Sequence, residues 1–164
     1  YTASSAAAAR TAPLADDTDA SSTGCGSAPY LFAYSVLSPV PLSIAGDYSD
    51  PVYGASVSIS DDTWTSISEF SGYTYTTSYD VVDWWTDGSL TTLIGQNSAE
   101  DYYYPNLWSR IDVLDDGTDL YYCTTSYDSP SEAAAAAVEA ADASAPTEGG
   151  CGAFDFSWTR LVEE

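Results

Sequence analysis

Lysine, histidine and methionine are absent from this 164-residue chain, and its three basic residues are Arg10, Arg110 and Arg160. Each absence removes a class of chemistry. Without imidazole there is no general base poised near neutral pH and no neutral nitrogen ligand for a metal. Without an amine side chain there is no Schiff-base former and no lysine clamp for phosphate. Against three cations stand 25 Asp and Glu, for a net charge of -22. A polyanion of that density is repelled by nucleic acid and by anionic lipid. The expectation is a protein that works by contact or assembly, not an enzyme, and one with no nucleic-acid partner.

Long apolar runs are missing too. Ala20 to Gly46 carries no charge, but Pro29, Pro39 and Pro41, with many Ser and Gly, exclude a membrane span there. No signal peptide is visible, so Tyr1 reads as the start of a processed, secreted chain. No Asn-x-Ser/Thr sequon occurs, Asn97-Ser98-Ala99 falling short of one, while the Ser/Thr-rich tail offers sites for O-linked sugar.

What is present is aromatic and β-forming: 14 Tyr, 5 Trp and 4 Phe, with abundant Thr, Ser and Val. Residues 1–40 read as an Ala/Ser-rich tail followed by an apolar arm. In Ala28–Leu37, Tyr30, Phe32, Tyr34 and Val36 share one face of an extended strand, and Leu31 and Leu37 lie on the other. Residues 41–164 read as the folded domain, because short alternating segments follow one another between turn signals. Ala55, Val57 and Ile59 alternate with serines. Trp64–Phe70 is followed by a Ser71-Gly72 turn, Tyr73–Tyr79 alternates with Thr and Ser, and Val81–Gln96 reads as a hairpin turning at Asp87-Gly88. Asn97–Asn106 is a Tyr-rich loop. A turn centred on Asp116-Gly117 sets Val113 opposite Leu120 and Ile111 opposite Tyr122, leaving Arg110, Asp112, Tyr121 and Cys123 on the second face. Ser129-Pro130-Ser131-Glu132 fits a capping box with Ser129 at the N-cap, ahead of an Ala133–Ala141 helix. Ala153, Phe154, Phe156, Trp158 and Leu161 close the chain as an apolar strand. The predicted fold is all-β: an antiparallel β-sandwich or small barrel of seven or eight strands, with one short Ala-rich helix near 130–142 and an extended N-terminal arm.

Three cysteines leave one over in any intrachain pairing. Cys123 and Cys151 are the expected bridge, since both lie in the structured half and flank a helix that folds back. Cys25, in a Ser/Gly-rich stretch, is the candidate for an intersubunit bond. Arg110 is expected to pair with Asp112 or Glu132.

The segments Asn106-Leu107-Trp108-Ser109-Arg110, Leu120-Tyr121-Tyr122-Cys123, Gly149-Gly150-Cys151-Gly152 and Phe156-Ser157-Trp158-Thr159 resemble uncharacterised secreted proteins and lipoproteins of marine and myxobacterial type. The resemblance spans Ile44 to Leu161. It implies an envelope or extracellular location and supports the Cys123–Cys151 bridge, and it transfers no catalytic residue. Cys25 lacks the apolar run that precedes a lipidated cysteine.

Candidate sites follow from what the inventory contains. Oxygen ligands suit calcium alone, and Asp115, Asp116 and Asp119 are the candidates, though their spacing departs from an EF-hand loop. Otherwise no cofactor is expected. Asp80, Asp83 and Asp87 facing Asp112 or Glu69 would be the acid–base pair of a glycosidase, against the simpler reading of a solvated acidic surface. Trp84, Trp85, Tyr102, Tyr103 and Tyr104 are candidate platforms for sugar rings, although adjacent strand residues point to opposite faces. Two functions are therefore expected. One is a structural subunit of an extracellular or cell-surface filament, joined to copies of itself by strand addition of the arm Tyr30–Leu37. The other is a secreted β-barrel module that binds carbohydrate or another small ligand.

Overall fold

The alternation of apolar and polar residues from Ile44 onward produces strands, and the short turns between them make every neighbouring pair antiparallel. The computed structural model describes residues 41–164. The tail and arm, with Cys25, Tyr30, Leu31, Phe32, Tyr34, Val36 and Leu37, lie outside the described residues. The elements are β1 (Gly46–Asp50), β2 (Ala55–Ile59), β3 (Thr63–Phe70), β4 (Tyr73–Asp87), β5 (Leu90–Asn97), β6 (Trp108–Asp115), β7 (Leu120–Ser129), α1 (Glu132–Ala136), β8 (Gly150–Cys151), β9 (Phe156–Ser157) and β10 (Thr159–Glu163). Eight strands close into an antiparallel barrel in the order β1-β10-β7-β6-β5-β4-β3-β2, and β8 and β9 form a separate two-stranded hairpin.

The barrel interior is apolar. Val57, Ile59, Trp64, Tyr79, Val81, Leu93, Ile111, Val113 and Leu161 interlock there, with Leu42 and Ile44 packed among them. An eight-stranded barrel is just narrow enough for side chains to fill. The outward positions of β2 are Ser56 and Ser58, both exposed. This polarity is the inverse of a transmembrane barrel, whose outside is apolar. No helix among the described residues is long and apolar enough to cross a membrane.

Tyr73–Asp87 is one strand, where the sequence reads as two. A bulge between Val81 and Asp83 changes the phase. Before it, Tyr73, Tyr75, Thr77 and Tyr79 share a face with the inward Val81. After it, Trp84, opposite Leu93, points inward, and Trp85, opposite Thr92, points out. Gly95 sits where the wall is tightest, since a Cβ there would lie 2.8 Å from the Tyr79 Cβ.

Other details depart from the sequence reading. The β6–β7 turn is longer than a two-residue Asp-Gly turn: Asp115 pairs with Leu120 and Val113 with Tyr122, a shift of two that preserves the predicted faces. The Asp87-Gly88 turn is centred one residue later, on Gly88 and Ser89, because Asp87 pairs with Leu90. The N-cap of α1 is Ser131, whose side chain accepts from the Ala134 N–H, and the helix stops at Ala136. Alanines there have propensity but little area to bury, so only the turn seated on the barrel persists. The final apolar segment is divided: Phe156 belongs to the small hairpin, Trp158 is buried outside the barrel, and Leu161 is buried inside it.

A candidate binding face at one end of the barrel

The two barrel ends differ. One carries the turns at residues 60–62, 88–89 and 116–119 and is closed by the entering chain, where the Leu42 N–H donates to Asp61 Oδ1 at 2.6 Å. The other end carries the β1–β2 turn, the β3–β4 tip and the β5–β6 loop, and we call it the loop end.

At the loop end, tyrosines gather. Tyr102 and Tyr103 meet edge to face at 4.8 Å, Tyr103 and Tyr104 lie 6.2 Å apart, and Tyr104 stacks on Tyr127 of β7 at 6.3 Å. Tyr102 and Tyr103 are 88% and 77% exposed. Their loop is nonetheless fastened. Asp101 Oδ1 accepts from the N–H groups of Tyr103 and Tyr104 at 2.9 and 2.7 Å. Buried Asn97 donates through Nδ2 to the carbonyls of Tyr104 and Tyr127, both at 2.8 Å, and accepts from the Ser109 hydroxyl at 2.6 Å. One amide thus ties the loop to β7 and holds Tyr104 beside Tyr127.

Beneath this rim, Tyr79 and Tyr122 line the interior. Burial, followed by the charge of Asp50, pushes the Tyr122 phenol up to about 12, and burial raises Tyr79 further. Tyr127 is raised as well, again chiefly by burial. A raised phenol stabilises the fold while protonated. That stability is complete below the ordinary value of 10.0 and is lost as pH climbs towards 12. The Tyr122 shift alone corresponds to roughly 3 kcal/mol. Urea midpoints are therefore expected to stay level to about pH 10 and to fall steeply above it, with phenolate absorbance lagging that of the unfolded chain. A midpoint unchanged to pH 12 would contradict this assignment.

The other sequence candidates are scattered. Trp84 packs on the core and Trp85 lies under the Arg110 guanidinium, 5.7 Å from its ring centroid, so neither joins Tyr102–Tyr104. Asp112 is fully buried and paired with Arg110, Asp83 is buried on the same outer face, and Glu69 and Asp87 are exposed. Asp112 is thus committed to Arg110, Thr92 and the Ala141 N–H. In the β6–β7 turn, Asp115 accepts from the Gly117 N–H, Asp116 accepts from Thr118 and Asp119, and Asp119 pairs with Arg160. Two turn N–H bonds hold the exposed Asp116 carboxyl below the usual carboxylate range. These acids act as turn caps and an ion pair, and no metal-holding group is found among the described residues. A depression of about 450 Å³ lies beside them at the closed end, lined by Tyr48, Asp115, Asp119, Arg160 and Glu163. Its one aromatic, Tyr48, donates to the Ile44 carbonyl, and the other walls are charged, polar or aliphatic, so the loop end with its four tyrosines is the better candidate.

Sequence reasoning missed Tyr79, Tyr122 and Tyr127 as companions of the loop. They stand 18 to 25 residues from Tyr102–Tyr104 in the sequence, and only the pairing of β4 through β7 brings them together. Asn97 could have been suspected, being an amide at the point where an apolar strand gives way to a tyrosine loop.

Compared with known proteins, the chain matches no family model, no curated protein and no solved structure.

Proposed function

We propose that this protein is a secreted binding module that holds neutral carbohydrate on the tyrosine face at the loop end. The observation that carries the reading is the rigid placement of exposed Tyr102, Tyr103 and Tyr104 beside Tyr127 through Asn97 and Asp101. Fixed aromatic rings stack on the apolar faces of sugar rings, and phenol hydroxyls serve the hydroxyl groups at their edges. A net charge of -22 selects against sulfated or uronic polymers. The Cys123–Cys151 disulfide favours an oxidising compartment, in keeping with an extracellular or cell-surface location.

Retention on neutral insoluble polysaccharides tests the proposal. Tyr103→Ala is expected to weaken retention roughly tenfold, equivalent to about 1.4 kcal/mol. Phe154→Ala, an exposed aromatic on the separate β8–β9 hairpin, serves as the control and should retain fully. Equal retention by both variants, or none by the unaltered protein, would sink the reading.

Assembly into a filament is the second reading. Most barrel strands are paired on both sides over their central part, so an incoming strand such as Tyr30–Leu37 would have to displace a resident one there, whereas β7 meets β10 only over Leu120–Tyr122. Among the described residues, unpaired main chain also exists in the ribbon formed by the tips of β3 and β4.

A further inference from the structure

We propose that two copies of this protein join edge to edge through the exposed margin of β4. β5 pairs with β4 only from Tyr79 onward, and β2 pairs with β3 only as far as Ile67. Among the described residues, the ribbon from Ser68 to Thr77 therefore projects past the barrel wall with β3 and β4 paired solely to each other. Over Phe70–Tyr79 it has no charged residue and no proline, in a chain of net charge -22. Natural sheets usually protect such edges with lysine, proline, a bulge or a covering loop, and among the described residues none of these guards Tyr73–Thr77.

The hydrogen-bond parity of this margin is fixed. Phe70 pairs with Tyr73 around the two-residue Ser71-Gly72 turn, whose φ values of 54° and 80° fit a type I′ hairpin. In such a hairpin Phe70–Tyr73 and Ser68–Tyr75 are the hydrogen-bonded pairs, so Thr74, Thr76 and Ser78 turn their N–H and C=O groups away from β3. The Ser78 carbonyl shows that direction, since it accepts from the Ser98 N–H at 3.0 Å. Among the described residues, no second strand lies beside Thr74 and Thr76.

A second copy supplies the matching edge. Antiparallel pairing about a two-fold axis at Tyr75 sets Thr74 against Thr76 of the other copy and Thr76 against Thr74, and leaves the Ser78 carbonyl to Ser98. That contact is isologous and closes as a dimer. It also places the charge-free tips together, with Glu69 one strand removed from the axis and both barrels further away. Residual repulsion between two polyanions makes the association strengthen with salt as the Debye length shortens. The contact is small, so the dimer is concentration-dependent. It uses none of Tyr102, Tyr103 or Tyr104, and it stands or falls independently of carbohydrate binding.

The test uses the full chain carrying Cys25→Ser, which removes any disulfide through that residue. Sedimentation equilibrium should show the mass rising from 17.4 kDa towards twice that value with concentration, more completely near 1 M than near 0.05 M salt. Thr76→Pro removes an edge donor that the barrel does not use, and it should leave a folded monomer. In a non-hydrogen-bonded antiparallel pair the Cα atoms lie about 4.5 Å apart, within disulfide reach, so Tyr75→Cys should oxidise to a covalent dimer. Ser58→Cys, exposed on the outside of β2, should not. The proposal is overturned by a constant mass at all concentrations and salts, by association that survives Thr76→Pro, or by Tyr75→Cys dimers no more abundant than those of Ser58→Cys. That last result, with association present, would mean that another segment, such as the arm of a neighbour, occupies the edge.

Discussion

Replacing Arg110 with methionine is expected to lower the unfolding free energy by about 3–5 kcal/mol, the largest loss of any single side chain here. Arg110 lies on the outside of β6, yet only 5% of its surface meets solvent. Its Nε donates to Asp112 Oδ1 at 3.0 Å, Nη2 reaches the Thr92 hydroxyl at 3.2 Å, and Nη1 donates to the carbonyls of Ala136 and Val138. Trp85 packs beneath the guanidinium plane. The cation thus neutralises a buried carboxylate and satisfies carbonyls at the C-terminal end of α1, where positive charge is favoured. Asp112 in turn accepts from Thr92 Oγ1 at 2.7 Å and from the Ala141 N–H at 2.8 Å. Methionine fills much of the volume but abandons Asp112 as an uncompensated buried charge, which is why the loss exceeds that of an exposed pair. Arg160→Met is the comparison. Its pair with Asp119 is half exposed, and its loss should stay below about 1 kcal/mol. Urea unfolding of the two variants measures the contrast, and similar midpoints would refute the lock assigned to Arg110.

That lock was partly legible in the sequence. Asp112 stands two residues from Arg110 on a strand, so both must share a face, and their partnership follows from period-two alternation. The same alternation separated Val57 and Ile59 from Ser56 and Ser58, and it placed Cys123 on the outer face. Three things were not legible. Closure into a barrel depends on β1 meeting β10, a contact between residues such as Tyr48 and Glu163 that no local pattern encodes. The bulge at Val81 and Asp83 carries no glycine to mark it, so one strand reads as two. The tyrosine face draws on β5, β7 and the loop between β5 and β6, and sequence spacing alone also suggested Trp84 and Trp85, which the pleat sends elsewhere. Capping was legible in kind but not in place. Ser129 and Ser131 both precede the alanines, and the structure uses the one nearer the helix, because β7 continues through Ser129.

Cleaving the Cys123–Cys151 bond should cost about 3–4 kcal/mol, the chain-entropy value for closing a loop between residues 28 apart. The bond does more than shorten the unfolded chain. Cys123 pairs across the sheet with Asp112, so disulfide and ion pair hold the same excursion against neighbouring positions of the same outer wall. Leu114, Tyr121, Cys123 and Trp158 form the small apolar cluster under that excursion, with Ala141 and Ala143 packed against it. Trp158 donates from its indole N–H to the Asp142 carbonyl at 3.1 Å. Gly150 delivers Cys151 to this site with a φ of 89°, and a Cβ there would collide with the same Asp142 carbonyl. Cys151→Ser, or reductant on the unaltered protein, should therefore lower the urea midpoint and open residues 137–158 to protease while the barrel stays closed. Since both fasteners grip one segment, their losses should not add. Once the disulfide is gone, the segment can lift, water reaches Arg110 and Asp112, and removing the cation then exposes less of a buried charge. The double variant Arg110→Met/Cys151→Ser is expected to lose less than the sum of the single losses by about 1 kcal/mol or more. Strict additivity would mean that the two fasteners hold independent parts of the chain, contrary to the shared wall on which Asp112 and Cys123 stand side by side.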